Sequence, residues 1–218
     1  MPLQLIEDFY DEAACVELRK RILATPFVGG ATTATGMAAS AKNNLQMDHT
    51  KGHAILNEIA HRLMSDERVD FYAIPKRIAA MQVNRYDEGM YYGNHSDAPF
   101  MNGFRCDLSF TLFLEDHTNY DGGELALEQE NGLLKLKPKM GSVFIYSTGL
   151  IHRVEKITRG SRLACVGWIE SRVRDERKRK ILRDLNFAHR NYLQRHGRDD
   201  IGDLLVKNSG DLMRMWCE

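Results

Sequence analysis

The hydrophobic period of this 218-residue chain changes twice, and that narrows the folds open to it. From Asp11 to Leu23 apolar residues recur every three to four positions, so Ala14, Cys15, Leu18 and Ile22 share one side of a helix. Pro26 and the Gly29-Gly30 pair end it. Lys51 to Met64 is a second amphipathic helix, with Ala54, Ile55, Ile59 and Leu63 as its stripe. Between them Ala31 to Ser40 is rich in small residues and is expected to be a loop or an extended edge. From residue 76 the period shortens toward alternation. Strands are predicted at Ile78–Tyr86, Cys106–Leu114, Glu124–Leu127, Leu133–Leu136, Gly141–Tyr146, Ile151–Val154 and Arg162–Glu170. Glycine-bearing turns such as Asp121-Gly122-Gly123 and Arg159-Gly160 separate them, and Leu125–Leu136 reads as a hairpin around Asn131-Gly132. After Ser171 the helical period returns in Arg174–Tyr192, then in Asp199–Trp216 with a break near Asn208–Gly210. Helices, many short strands, then helices give an α+β layout with a sandwich or barrel at its centre. The expected divisions are 1–75, 76–171 and 172–218, forming one structural unit.

Thirty basic and thirty acidic residues cancel, which removes any bulk electrostatic case for nucleic acid or an anionic membrane. The basic run Arg172–Arg183 contains Asp175 and Glu176, set to pair with Arg179 and Lys180 at i,i+4. It lacks interleaved aromatics and reads as a solvated helix face. No run approaches the roughly 20 apolar residues of a membrane span, and Met1–Tyr10 has no signal-peptide pattern. Cys15, Cys106, Cys165 and Cys217 form no CxxC pair; four buried thiols in a reducing cytoplasm are expected. The tail Leu212–Trp216 is expected to dock on its own domain or on a second copy, so a homodimer is one expectation.

His95-Ser96-Asp97 places a histidine and a carboxylate two apart, on one face if the segment is a strand. His152 follows on the strand-like Ile151–Val154, and Arg162 opens a strand with apolar neighbours. Singly, each has an ordinary reading: a surface turn, a half-buried histidine, an arginine at a strand's wet end. Together, two imidazoles and one carboxylate make a facial ligand set that leaves positions open on an octahedral ion, the ligand set of non-haem iron oxygenases. A buried arginine opposite would suit the far carboxylate of a chelated keto-acid.

Several further blocks occur in the same order. They are Lys42-Asn43-Asn44-Leu45-Gln46-Met47-Asp48; Asn84-Arg85-Tyr86 through Gly89, Tyr92, His95 and Asp97; Arg105-x-Asp107-Leu108-Ser109-x-Thr111-Leu112-Phe113-Leu114; Tyr120 to Leu125; Leu150-x-His152-Arg153-Val154; Thr158-Arg159-Gly160-x-Arg162; and Trp168–Ser171 with Arg174-Asp175. With these the chain resembles the Fe(II)/2-oxoglutarate dioxygenases, and more closely the bacterial PKHD-type hydroxylases, over roughly residues 25 to 185. The resemblance implies a double-stranded β-helix (jelly roll) with helices on one face. It implies His95, Asp97 and His152 as iron ligands, Arg162 as anchor for 2-oxoglutarate, dioxygen as the other co-substrate, and L-ascorbate keeping the iron ferrous. Succinate and CO2 would be released as a substrate is hydroxylated, and the carboxylate of Asp97 fills the position a halide would otherwise take.

Tyr86 and Thr111 are expected to donate hydrogen bonds to the co-substrate, and Leu125 and Trp168 to wall its pocket. Lys42, Asn43, Asn44 and Gln46 supply polar groups for the mouth, so Asn43, Asn44 and Gln46 are the candidate substrate-facing residues. Competing readings are a sensor that binds metal and 2-oxoglutarate without turnover, a nucleic-acid demethylase of the same superfamily, and a zinc site in a cupin-like scaffold.

Overall fold

The computed structural model describes residues 3–30 and 42–218, so the predicted loop at 31–40 lies outside the described residues. Asp11 caps the first helix by accepting from Ala14 N, and α1 (Glu12–Leu23) buries Cys15, Leu18 and Ile22. The second amphipathic stretch forms α2 (His53–Ser65). Asp66 then caps a short helix that the periodicity did not reveal, α3 (Glu67–Ala73). Four short strands also lie in this first third: β1 (Gln4–Ile6), β2 (Phe27–Gly29), β3 (Lys42–Asn43) and β4 (Leu45–Met47). The first division, expected to hold helices joined by a loop or extended edge, thus also extends both sheets.

The remaining strands are β5 (Pro75–Asp87), β6 (Tyr91–His95), β7 (Phe100–Met101), β8 (Phe104–Arg105), β9 (Leu108–Phe113), β10 (Asp121–Gly122), β11 (Leu125–Gln129), β12 (Gly132–Leu136), β13 (Val143–Ser147), β14 (His152–Val154), β15 (Ile157–Arg159) and β16 (Ser161–Ser171). A seven-stranded sheet runs β1-β13-β9-β16-β5-β4-β2 and a five-stranded sheet runs β12-β11-β14-β6-β3, antiparallel throughout. The predicted hairpin is β11–β12, with Gln129 opposite Gly132, so its turn is Glu130-Asn131, one position earlier than expected.

Alternation decides which side chains face which way. On β16, Leu163, Cys165 and Ile169 join Leu18, Ile59 and Leu63 in a core between the larger sheet and the helices. The intervening Arg162, Val166 and Trp168 face a cavity between the two sheets, lined from the other side by β6 and β14. Phe113, Leu125, Leu127, Phe144 and Tyr146 pack the sheets together beside it. Two antiparallel sheets around a cavity, with helices on the outer face of one, form the expected α+β jelly roll.

Two helices follow, α4 (Glu176–His196) and α5 (Asp200–Trp216). The expected i,i+4 pairs of the basic run do not form. Asp175 caps α4 instead, accepting from Arg177 N and Lys178 N, while Lys180 pairs with Asp184. Arg179 and Arg183 are buried, donating to the carbonyls of Val173 and Tyr72, so part of the run serves the interior. Helix α5 is unbroken through Gly210. Leu212, Met213 and Trp216 pack on Ile74, Val173 and Leu182, and that tertiary packing outweighs the roughly 1 kcal/mol glycine penalty. The tail therefore docks on its own chain. Cys15, Cys106 and Cys165 are buried, but Cys217, beyond the last turn of α5, is exposed, contrary to expectation. No helix among the described residues is long and apolar enough to cross a membrane.

Candidate active site

Register brings the two histidines together. His152 on β14 lies directly opposite His95 at the end of β6, and their ring centroids are 4.3 Å apart. His95 Nδ1 is 2.8 Å from the carbonyl of Gly93, and His152 Nδ1 is 2.9 Å from that of Leu150. A carbonyl only accepts, so each Nδ1 carries the proton and each Nε2 keeps its lone pair. Burial, then the neighbouring His152, holds the His95 imidazole well below its usual pKa, in the neutral form that ligates.

Both Nε2 atoms face Asp97. Oδ1 is 3.8 Å from His95 Nε2, and Oδ2 is 3.7 Å from His152 Nε2. These gaps are too long for hydrogen bonds, yet short enough for one ion, at metal–ligand distances of about 2.0–2.2 Å, to touch all three residues. Asp97 does not share a strand with His95, as the spacing argument assumed; it sits just past the end of β6. Ser109, across on β9, donates to Asp97 Oδ2 at 2.7 Å and lies 3.2 Å from Thr148 Oγ1. Tyr92 stacks on His95 at 3.6 Å between centroids.

The cavity holds about 500 Å³, within the range of small-molecule sites. Arg162 lies deep in it, 1% exposed, directly opposite Tyr86. Its guanidinium carbon is 5.5 Å from the ring centroids of Tyr86 and of Phe113. Nε and Nη1 find no acceptor among the described residues. A buried cation with unused donors fits a carboxylate. The Gly122-Gly123 pair makes room for this arrangement. Gly123 has φ +68°, and a Cβ there would meet Ile157 Cδ1 at 2.3 Å and Arg162 Cδ at 3.2 Å. Asp121 is exposed and pairs with Arg159, away from the cavity.

Tyr86, Thr111, Leu125 and Trp168 all line the cavity. Burial pushes the Tyr86 phenol far above its usual pKa, so it remains a donor. The candidate substrate residues are placed otherwise. Asn43 is exposed, paired with Tyr91; Asn44 is buried against Gly30; and Gln46 is buried, donating to Asn84 Oδ1 at 3.2 Å. None of the three lines the cavity, because the chain crosses from one sheet to the other between β3 and β4; Lys42 and Asn84 do line it. Ser109 and Tyr92 carried no assignment from sequence. Ser109 and Thr111 are polar at alternate positions in an otherwise apolar strand, which was the available signal.

Comparison with known proteins agrees with this geometry. Residues 81–170 match the 2OG-Fe(II) oxygenase superfamily. The chain is 39% identical over 193 residues to a PKHD-type hydroxylase of Maricaulis maris, covering 88% of each chain. It is 40% identical over 202 residues to one of Acaryochloris marina, covering 91% of this chain and 92% of that one. The chain belongs to the PKHD-type hydroxylase family. As a PKHD-type hydroxylase it is an Fe(II)- and 2-oxoglutarate-dependent dioxygenase, with dioxygen and 2-oxoglutarate as co-substrates. A prolyl-4-hydroxylase of Pseudomonas putida shares the fold, with a TM-score of 0.57 at 18% identity, covering 78% of this chain and 92% of that one.

Proposed function

We propose that His95, Asp97 and His152 hold a single ferrous ion and that Arg162 receives the distal carboxylate of 2-oxoglutarate. Tyr86 and Thr111 hydrogen-bond the co-substrate and Leu125 walls its pocket, while Trp168, six residues along β16 from Arg162, walls the far end of the same cavity. One observation carries this reading: two Nε2 lone pairs and one carboxylate converge in a cavity that also contains a buried guanidinium with unused donors. When bound, the ion and 2-oxoglutarate supply the oxidising chemistry that hydroxylates a substrate C–H bond and releases succinate and CO2. The protein does the rest. The carbonyls of Gly93 and Leu150 fix the imidazole tautomers, and Ser109 fixes the carboxylate. Arg162 orients the co-substrate, and the apolar walls keep water out. Ascorbate serves as an external reductant that keeps the ion ferrous, and the protein works in the cytoplasm.

The test is an anaerobic titration with Fe(II), then 2-oxoglutarate. The wild-type protein develops the visible charge-transfer band of a chelated keto-acid, and Asp97→Ala and His152→Ala do not. Full-intensity bands in those variants would refute the ligand assignment. Admitting oxygen then yields succinate, at a rate that ascorbate sustains.

A further inference from the structure

Two of the three candidate ligands draw their support from one turn. Residues 148–150 carry the chain from β13 in the larger sheet to β14 in the smaller one. At the start of this turn Thr148 Oγ1 lies 3.2 Å from Ser109 Oγ, and at its end the carbonyl of Leu150 accepts from His152 Nδ1 at 2.9 Å. His95, by contrast, is held by Gly93 of its own strand. Thr148 is buried, and Ser109 is the one hydrogen-bond partner of its hydroxyl among the described residues. Proton counting fixes the direction of that contact. A hydroxyl has one hydrogen to give and two lone pairs with which to receive. Ser109 gives its hydrogen to Asp97, because a carboxylate only accepts and the 2.7 Å contact is the shorter, charge-assisted one. The hydrogen between Ser109 and Thr148 therefore comes from Thr148.

We propose that Thr148 is a positioning residue for the metal site. It donates to Ser109, so that the Ser109 hydroxyl points at Asp97 alone, and its turn sets Asp97 and His152 together. The inference rests on the ligand assignment above. With one Ser109 lone pair occupied by Thr148, the Ser109 hydrogen has a single direction left, toward the carboxylate. A hydroxyl that receives while it gives is also the better donor, because hydrogen bonds in a chain polarise one another. The carboxylate is thus oriented before an ion arrives, which removes part of the ordering cost of assembling the ligand set. The turn has little freedom of its own. Thr148 N donates to the carbonyl of Asp107, just before β9, and Leu150 packs with Phe113, Leu125 and Leu127 between the sheets. Ser109 is two residues beyond Asp107, so backbone and side chain of Thr148 tie the turn to the same short segment. Asp97 and His152 therefore do not adjust independently: a displacement of the turn that moves one support moves the other.

The test measures metal affinity rather than turnover. Metal-free protein is titrated anaerobically with Fe(II), and separately with Co(II), in competition with a chromophoric chelator. The variants are Thr148→Val, Thr148→Ser, Ser109→Ala and the double variant Ser109→Ala/Thr148→Val. Val keeps the branched shape of Thr and removes its hydroxyl. The expected result is that Thr148→Val weakens metal binding about 3–10-fold, the worth of one buried hydrogen bond. Thr148→Ser, which keeps the hydroxyl, restores most of that loss. In the Ser109→Ala background Thr148→Val costs nothing further, because its effect passes through the Ser109 hydroxyl. A wild-type measurement stands even if a variant fails to fold: the Thr148 hydroxyl proton should give a slowly exchanging proton resonance with a cross-relaxation peak to the Ser109 side chain. Metal affinity in Thr148→Val within about twofold of wild type, less than one hydrogen bond is worth, would overturn the proposal. So would equal losses in the Val and Ser variants, a loss that adds in full to that of Ser109→Ala, or a Thr148 hydroxyl proton that exchanges at the rate of an exposed one. Asp97→Ala is the control on the underlying reading. If it leaves metal affinity unchanged, the ligand assignment has failed; if it abolishes binding while Thr148→Val does nothing, the role of Thr148 alone has failed.

Discussion

Replacing Arg162 with Met separates what the guanidinium does for the co-substrate from what it does for the fold. In the wild-type protein Nε and Nη1 have no acceptor among the described residues, so two charge-assisted bonds await a ligand. Such bonds contribute about 1.5–3 kcal/mol each, and part of that is offset because Met removes a buried charge that the unliganded protein must carry. A net loss of about 3 kcal/mol raises the Kd for 2-oxoglutarate by roughly 100-fold. Stability without ligand should move little. Relief of the unsatisfied donors, about 1–3 kcal/mol, opposes the lost contacts with the Tyr86 and Phe113 rings, about 0.5–2 kcal/mol each. Titration calorimetry of anaerobic, Fe(II)-loaded protein reads the first effect and chemical denaturation of the metal-free protein reads the second. A Kd within about fivefold of wild type, against the roughly 100-fold expected, would refute the assignment. So would a metal-free variant destabilised beyond about 3 kcal/mol, since that would mean the guanidinium already has its partners within the chain.

Ser109→Ala removes the hydroxyl that fixes Asp97 and should weaken divalent-metal affinity by about 10–100-fold, read by competition with a chromophoric chelator. Gly123→Ala forces a Cβ against Ile157 at φ +68° and should cost about 2 kcal/mol, a drop of roughly 4–8 °C in Tm, together with weaker 2-oxoglutarate binding because Tyr120 and Arg162 are the next neighbours. Alkaline pH should unfold the protein steeply. Burial raises Cys15 and Cys165 to about 12, Cys106 to about 11 and Tyr10 and Tyr72 to about 12. Above the unfolded-state values of about 9–10 the unfolded chain binds fewer protons than the native one, so stability falls as pH rises from about 9 toward 12. Thermal melts at pH 8 and pH 10.5 check this, and Cys165→Ala should flatten the fall.

The period changes in the sequence were enough to place most elements, because α1, α2, β9 and β16 each carry a clean apolar stripe that the tertiary fold uses. Arg162 was legible as a buried cation because its strand neighbours are apolar. The three residues proposed to hold iron were legible as residue types, but the reason they meet is different: His95 and His152 face each other across a strand pair, and Asp97 is fixed by a serine from the other sheet. Cross-strand register is not written in local periodicity, so Ser109 and Tyr92 went unassigned. The segment 42–46 misled for a related reason. Two-residue and three-residue strands that belong to different sheets do not alternate as one unit, so Lys42 turns inward while Asn43 faces solvent. Helix α3 is too short for a period to emerge, and only its cap, Asp66, marks it.

Strand β16 carries Arg162 and, six residues on, Trp168, both facing the cavity. At about 3.3 Å per residue the two side chains are rooted roughly 20 Å apart on one hydrogen-bonded rod. Paired on both flanks by β5 and β9, that rod resists bending, so the spacing works as a ruler. The β7–β8 hairpin near the Trp168 end, which contributes Met101 and Asn102 to the cavity wall, can therefore diversify without disturbing the arginine end. One scaffold can in this way accept different substrates while its oxidant chemistry stays the same.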